Sequence, residues 1–372
     1  MSSMNNYILI FLISLFLSCS KNNYIPIKEV PEIEFSTIDT STQTDLSFIN
    51  TANNQNVSIL NSLEETGFHF YNSIKFKTED IGILAGGTGL RARITKNGGA
   101  NWKEYSFSKF ANAFHSVSFS GNTIFIVGES NYIFRSNDFG GSWSVYNAEN
   151  LFEEGNSFGQ FKFYKIHFFN EKSGFIVGEH NTIPLILKTN DGGEQWEIID
   201  TNEALKNSGA ITDFAIHSSE KITIVTSFGE CYTTNDGGKT WKLLLKTKPL
   251  NSIAFKNSNE GYVGGINGKL HYTDDGGENW RIIEVPENPN ITDIEFIKNK
   301  ALITTSISFS KNRAVFMYEI DKNGKNIHPF LTKTDENILF MGDSYAIDVF
   351  ENNIYILDRN NLYKTTNEYF YK

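Results

Sequence analysis

All five tryptophans of this 372-residue chain close the same eight-residue phrase. The copies are Thr95-Lys-Asn-Gly-Gly-Ala-Asn-Trp102, Ser136-Asn-Asp-Phe-Gly-Gly-Ser-Trp143, Thr189-Asn-Asp-Gly-Gly-Glu-Gln-Trp196, Thr234-Asn-Asp-Gly-Gly-Lys-Thr-Trp241 and Thr273-Asp-Asp-Gly-Gly-Glu-Asn-Trp280. Successive tryptophans stand 41, 53, 45 and 39 residues apart, the period of a four-stranded unit stacked on itself. A chain that places its only indoles this way is an array of repeats, and each repeat must bury its apolar face against the next copy.

Each position of the phrase has a physical task. The third residue (Asn97, Asp138, Asp191, Asp236, Asp275) accepts hydrogen bonds from backbone N–H groups two or three residues on and folds the chain into a tight hairpin. The fifth, always glycine, supplies the positive φ such a turn requires. The tryptophan (Trp102, Trp143, Trp196, Trp241, Trp280) opens the next strand, buries against the neighbouring unit and donates its N–H to a nearby carbonyl. None of this needs a ligand, so the turn reads as a staple.

The flanking residues predict four antiparallel strands, A to D, per unit. Around Trp143 the runs Ser116-Val-Ser-Phe-Ser120, Thr123-Ile-Phe-Ile-Val-Gly128, Tyr132-Ile-Phe-Arg-Ser136 and Trp143-Ser-Val-Tyr146 are short, apolar-rich and bounded by Gly, Asn and Ser. Strand A recurs as a polar–apolar alternation at Ser73-Ile-Lys-Phe76, Ser116-Val-Ser-Phe119, Lys165-Ile-His-Phe168, Asp213-Phe-Ala-Ile216, Ser252-Ile-Ala-Phe255, Asp293-Ile-Glu-Phe296 and Ala346-Ile-Asp-Val349. Seven such strands predict an all-β chain, a single seven-bladed β-propeller of four-stranded antiparallel blades with the Asp phrase between strands C and D. The sixth turn is worn, keeping Gly324 but carrying Ile327 in place of tryptophan. The seventh unit lacks room for strand D, which a segment such as Glu32-Ile-Glu-Phe-Ser-Thr-Ile38, or a C-terminal hairpin through Tyr369-Phe-Tyr371, is expected to supply.

The phrase resembles the Asp-box, or bacterial neuraminidase repeat, and one box per blade is similar to the seven-bladed branch typified by photosystem II assembly and stability factors. The resemblance covers roughly residues 66–367. It implies a propeller, and because Asp-box propellers include sialidases, other glycoside hydrolases, sorting receptors and assembly factors, it leaves both catalytic and binding roles open.

Three segments follow from the rest of the chain. Residues 1–18 read as a signal peptide, whose apolar run Tyr7 to Leu17 is too short for a comfortable membrane span and ends at Ser18-Cys19-Ser20. That junction resembles a bacterial lipobox, which would make Cys19 the lipidated first residue and place the protein in the cell envelope, facing the periplasm or exterior. Residues 19–47, polar and containing Pro26 and Pro31, read as a tether, and residues 48–372 as the propeller, expected to be monomeric. Cys231 is then left as a small apolar core residue. A net charge of −10 disfavours nucleic-acid binding.

The candidate binding face lies opposite the Asp-box turns, where B-to-C and D-to-A loops gather. Arg91, Arg313 and Arg359 fall at or beside B-to-C turns of adjacent blades and are expected to form a positive patch for an anionic ligand or an envelope protein. His115, Lys165, Asp213, Asp293 and Tyr345, with Asn72, Asn251 and Thr292, approach the channel rim on that face. The insertion at 147–159 offers Leu151 and Phe152 as exposed apolar contacts. A glycoside hydrolase is the alternative, with Asp213 and Asp293 as its carboxylate pair or the three arginines, Tyr345 and Asp293 as a sialidase-like set. No zinc-ligand spacing, Walker loop or Gly-x-Ser-x-Gly elbow is present, so no cofactor or metal is expected. The expectation is a non-catalytic binding or assembly-assisting propeller.

Overall fold

A computed structural model of the chain describes residues 24–27, 32–33, 49–51, 57–62 and 71–366, with short gaps at 87–89, 108–112, 153–158, 287, 311–312, 322–323, 334–345 and 358–360. Cys19 and the hairpin candidate Tyr369-Phe-Tyr371 lie outside the described residues. Among the described residues no helix is long and apolar enough to cross a membrane.

The strands form seven antiparallel sheets. Their innermost strands are Ser73–Phe76, Phe114–Ser120, Phe161–Phe168, Ile211–Ile216, Leu250–Phe255, Ile291–Ile297 and Ala346–Phe350. Each inner strand touches the next in this order, and the seventh touches the first. The second strands, such as Gly82–Gly86 and Ile222–Thr226, are buried on both faces because a neighbouring sheet covers each side. Apolar clusters fill the seams. Ile83, Phe134 and Trp143 pack between sheets one and two, Phe125, Ile166 and Trp196 between two and three, and Val225, Leu250 and Val263 between four and five.

The five turns share one hydrogen-bond pattern, tighter than the sequence suggests. The first-position hydroxyl of Thr234 donates to Asp236 at 2.7 Å and accepts from the Gly238 N–H at 2.9 Å, while Asp236 accepts from the N–H of Thr240 at 2.9 Å. The same three bonds recur around Asn97, Asp138, Asp191 and Asp275. The carboxylate therefore caps an N–H four residues on rather than two or three. The worn sixth turn keeps this function, since Asp321 accepts from Lys325 and Asn326 at 2.8 and 2.9 Å. The fifth-position glycine has a second constraint besides its φ of +99° at Gly238. A Cβ there would lie 2.4 Å from Ile199 of the preceding sheet.

The indole N–H groups differ from expectation. Only Trp196 has an acceptor among the described residues, the Tyr24 hydroxyl at 3.3 Å, while Trp102, Trp143, Trp241 and Trp280 have buried N–H groups with no protein partner. The tryptophans act as apolar wedges in the seams.

Sheet seven is closed by Val57–Ser62, which pairs with Asn361–Thr366. The Glu32 segment, expected there, instead adds a fifth strand to sheet one, Glu32 opposite Tyr105 and Ile33 opposite Glu104. Tyr24–Pro26 adds a fifth strand to sheet two, and Ile49–Thr51 a fifth to sheet six. Residues 57–62 are the better closing strand because they directly precede sheet one, which abuts sheet seven, so the ring needs no long return. The N-terminal strap is fixed by Tyr24, 5% exposed, whose hydroxyl donates to Gly193 O at 2.6 Å and whose ring lies 4.6 Å beneath the Arg135 guanidinium.

Candidate functional site: the central channel and its rim

The inner strands alternate, so each four-residue phrase sends its first and third side chains toward the axis. Two tiers result. The first contains Ser73, Ser116, Lys165, Asp213, Ser252, Asp293 and Ala346, and the second Lys75, Ser118, His167, Ala215, Ala254, Glu295 and Asp348. Four carboxylates thus face two lysines. Lys165 Nζ lies 3.8 Å from Asp213 and 3.7 Å from Asp293, and Lys75 Nζ lies 2.6 Å from Asp348.

These side chains also join the sheets. Asp213 accepts the Ile253 N–H of the next sheet at 3.1 Å and the Ser252 hydroxyl at 3.0 Å, Asp293 accepts the Ile347 N–H at 3.3 Å, and Asp348 accepts the Phe76 N–H at 2.6 Å. Ser73 and Ser116 do the same for Val117 and Ile166 at 3.1 and 3.2 Å. From the position before each phrase, Asn72, His115, Thr212 and Asn251 bond the carbonyls of Phe114, Phe163, Leu250 and Ile291 on the following strand. A backbone group that no ladder can reach is satisfied by the neighbouring sheet's polar residue, which is why inner strands alternate polar and apolar.

Burial and charge set the protonation of the tiers. Glu295 is pushed up to about 7 by desolvation, which Lys75 opposes and the adjacent Asp293 and Asp348 reinforce. Asp213 is likewise raised by burial, against the pull of Lys165. His167 is pushed down by its dense surroundings and by Lys75 and Lys165, although channel water still reaches the ring. Both lysines are raised: desolvation works against their charge, but Asp348 and Glu295 around Lys75, and Asp213 and Asp293 around Lys165, outweigh it.

Of the residues expected to form the site, Lys165, Asp213 and Asp293 meet in the first tier. His115 lies at the rim, stacked on Tyr164 at 5.2 Å with Glu129 3.9 Å away, and burial lowers its affinity for a proton against the pull of Glu129. Asn72 and Asn251 act as the latches described above, and Thr292 bonds the Thr304 hydroxyl at 3.0 Å within its own sheet. Arg91 is paired with Glu104, a fully buried carboxylate also held by Arg93 at 2.7 Å and the Tyr71 hydroxyl at 3.1 Å. The backbone of Arg313 opens the strand Arg313–Ile320, but its side chain, like Arg359 and Tyr345 entirely, lies outside the described residues. Leu151 and Phe152, expected to be exposed, are partly buried, Phe152 4.7 Å from the His180 ring. Sequence reasoning missed the second tier, Lys75, His167, Glu295 and Asp348. The signal was available, because each is the third residue of a recognised inner-strand phrase, and His167 and Glu295 follow the chosen Lys165 and Asp293 by two residues.

Residues 55–153 and 152–248 each match the family described as "Photosynthesis system II assembly factor YCF48". Together they span more than half of the chain. The chain belongs to this family. It is 28% identical over 189 residues to "Photosystem II assembly lipoprotein Ycf48" of Synechococcus sp. (strain CC9902), covering 49% of this chain and 52% of that protein. The chain thus spans about half the length of that curated relative. Among solved structures, "YCF48 bound to D1 peptide" superposes with a TM-score of 0.60 at 17% identity, over 91% of this chain and 97% of the other. YCF48 from Cyanidioschyzon merolae gives 0.60 at 19%, over 83% and 99%. The WD40 propeller domain of Doa1 gives 0.59 at 11%, over 84% and 98%, so the shared property is the β-propeller fold.

Proposed function

We propose that this family member is a non-catalytic, seven-bladed Asp-box propeller that assists assembly by holding a segment of a membrane-associated protein at the channel face opposite the Asp-box turns. The observation that carries this reading is the use of Asp213 and Asp293, the pair a hydrolase would aim at a glycosidic bond. Each accepts a backbone N–H of the next sheet and shares Lys165. Carboxylates so engaged hold a rigid frame, whereas acid–base work needs them free to exchange protons with a substrate. The seven-bladed count is supported by the closed order of inner-strand contacts. A peptide-like partner is supported by the solved YCF48 that holds a D1 peptide.

On this reading Arg313 and Arg359, with Arg91 directed by Glu104, supply a positive patch for acidic groups of the partner, and the polar rim from His115 to Tyr345 orients it. Cys19 carries lipid and holds the propeller at the outer side of a membrane, supported by the lipobox-like junction and by the lipoprotein name of the Synechococcus relative. The test is affinity purification from detergent-solubilised envelope with wild-type bait and with the Arg91→Ala/Arg313→Ala/Arg359→Ala variant, alongside a panel of chromogenic glycosides and metabolic lipid labelling of Cys19→Ser. A membrane-protein partner lost in the arginine variant, no glycoside turnover, and labelling abolished in Cys19→Ser are expected. Turnover removed by Asp293→Asn would overturn the non-catalytic reading.

A further inference from the structure

The five full repeats provide an internal comparison at one position, the residue two beyond each tryptophan on the outermost strand: Glu104, Val145, Ile198, Leu243 and Ile282. Their exposures are 0%, 4%, 37%, 46% and 54%. The first two lie on sheets whose outer strands, Lys103–Ser106 and Ser144–Asn147, are paired with the N-terminal strap, Ile33 opposite Glu104 and Ile25 opposite Val145. The other three lie on Glu197–Ile199, Lys242–Lys246 and Arg281–Glu284, which end their sheets with no further strand among the described residues. Exposure of this position thus follows the presence of the strap. After sheet two the strap runs to sheets one and six, away from sheets three to five.

An open edge offers unpaired N–H and C=O groups, and proteins ordinarily blunt such edges with charge or a bulge. Lys242–Lys246 has a bulge, where the partner of Leu245 is Cys231 and that of Leu243 is Tyr232. Arg281–Glu284 has none, pairing in regular register with Lys269–Tyr272. Its flanking charges are also engaged: Arg281 donates to Gly324 O at 2.9 Å, and Glu284 accepts from Lys269 at 2.5 Å. Beside it, Leu244 and Trp280 pack partly buried against the seam between sheets four and five, and Ile282, 54% exposed, stands two residues beyond Trp280 on the alternating strand.

We propose that the outer edge of sheet five is a β-augmentation site, taking an extended polypeptide segment of a partner, with alternating apolar side chains, as a fifth strand. The occupant's chemistry is that of the strap, because the strap already fills the equivalent edges of sheets one and two: backbone bonds supply the pairing, and an apolar side chain enters the seam as Ile27 does against the cluster around Val145. This site is distinct from the channel face and does not rest on the function proposed above.

The test is hydrogen exchange on the full chain in detergent micelles, with a synthetic peptide of residues 22–34, Asn-Asn-Tyr-Ile-Pro-Ile-Lys-Glu-Val-Pro-Glu-Ile-Glu, added in trans as the strand probe. Those amides of 281–284 that face away from Lys269–Tyr272 are expected to exchange fast without peptide and about tenfold more slowly at saturating peptide, with 144–147 unchanged. Ile282→Lys should abolish that protection while leaving the melting temperature as it is, since Ile282 is 54% exposed. Three results would overturn the proposal: no protection at 281–284, equal protection in Ile282→Lys, or protection before peptide is added, which would mean that this chain or a second copy already covers the edge.

Discussion

Replacing Asp348 with alanine tests whether the channel carboxylates are joints of the ring. Asp348 is fully buried, accepts the Phe76 N–H at 2.6 Å and pairs with Lys75 at 2.6 Å, so it links the seventh sheet to the first. Truncation leaves the Phe76 N–H buried without an acceptor, a cost of about 1–3 kcal/mol. Losing one member of a fully buried pair would add several kcal/mol, but the Lys75 side chain is 33% exposed and can turn to channel water, so only about 1 kcal/mol is assigned to it. The sum is about 2–4 kcal/mol, a fall in melting temperature of roughly 3–6 °C for a domain of about 300 residues. Asp348→Asn keeps an acceptor and should lose roughly half as much. Calorimetry gives the magnitude. Hydrogen exchange gives the location, expected to rise at 73–76 and 346–350 and to stay flat at 222–226. Variants that both melt within about 1 °C of wild type would refute the joint.

Glu295→Gln should flatten the pH dependence of stability. With the folded carboxyl at about 7 against an ordinary 4.5, the folded state holds the proton more tightly, so wild type is favoured at low pH and loses stability as pH rises from about 4.5 to 7. The difference in melting temperature between wild type and variant should therefore change across that window; a constant difference from pH 4 to 8 would count against it. Tyr24→Phe should cost about 1 kcal/mol by removing the hydroxyl that bonds Gly193 O and Trp196. Tyr24→Ala should in addition speed hydrogen exchange at 144–147, and unchanged exchange there would show that the strap does not depend on Tyr24. Thr234→Val should cost about 1–2 kcal/mol by leaving the buried Gly238 N–H unpaired, measured by chemical denaturation, with no loss of partner capture.

The antiparallel sheets were legible because their signals are local. Five copies of one turn phrase, and an alternation at each inner strand, depend only on residues close together in the chain, and the structure places strands at all seven predicted positions. The reading stopped where a residue's role depends on what lies across a seam. Glu104 looks like an ordinary surface acid in Lys103–Ser106, yet it is fully buried beneath Arg91, Arg93 and Tyr71. Asp213 and Asp293 looked like a pair facing a substrate because the sequence reports their side of the strand but not the amide of the next sheet that each one accepts.

Sequence alone determined the repeat, its turn chemistry and the alternating faces of the inner strands, since short-range sterics and hydrogen bonding dictate all three. Tertiary structure alone decided which distant segments pair. Val57–Ser62 closes sheet seven while Tyr24–Pro26 and Glu32–Ile33 cover sheets two and one. Any short alternating strand satisfies an open edge in sequence terms, and only the distance the chain must travel around the ring selects among them. The same holds for the channel. Lys75 and Asp348 are 273 residues apart and meet at 2.6 Å because the last sheet comes to rest against the first.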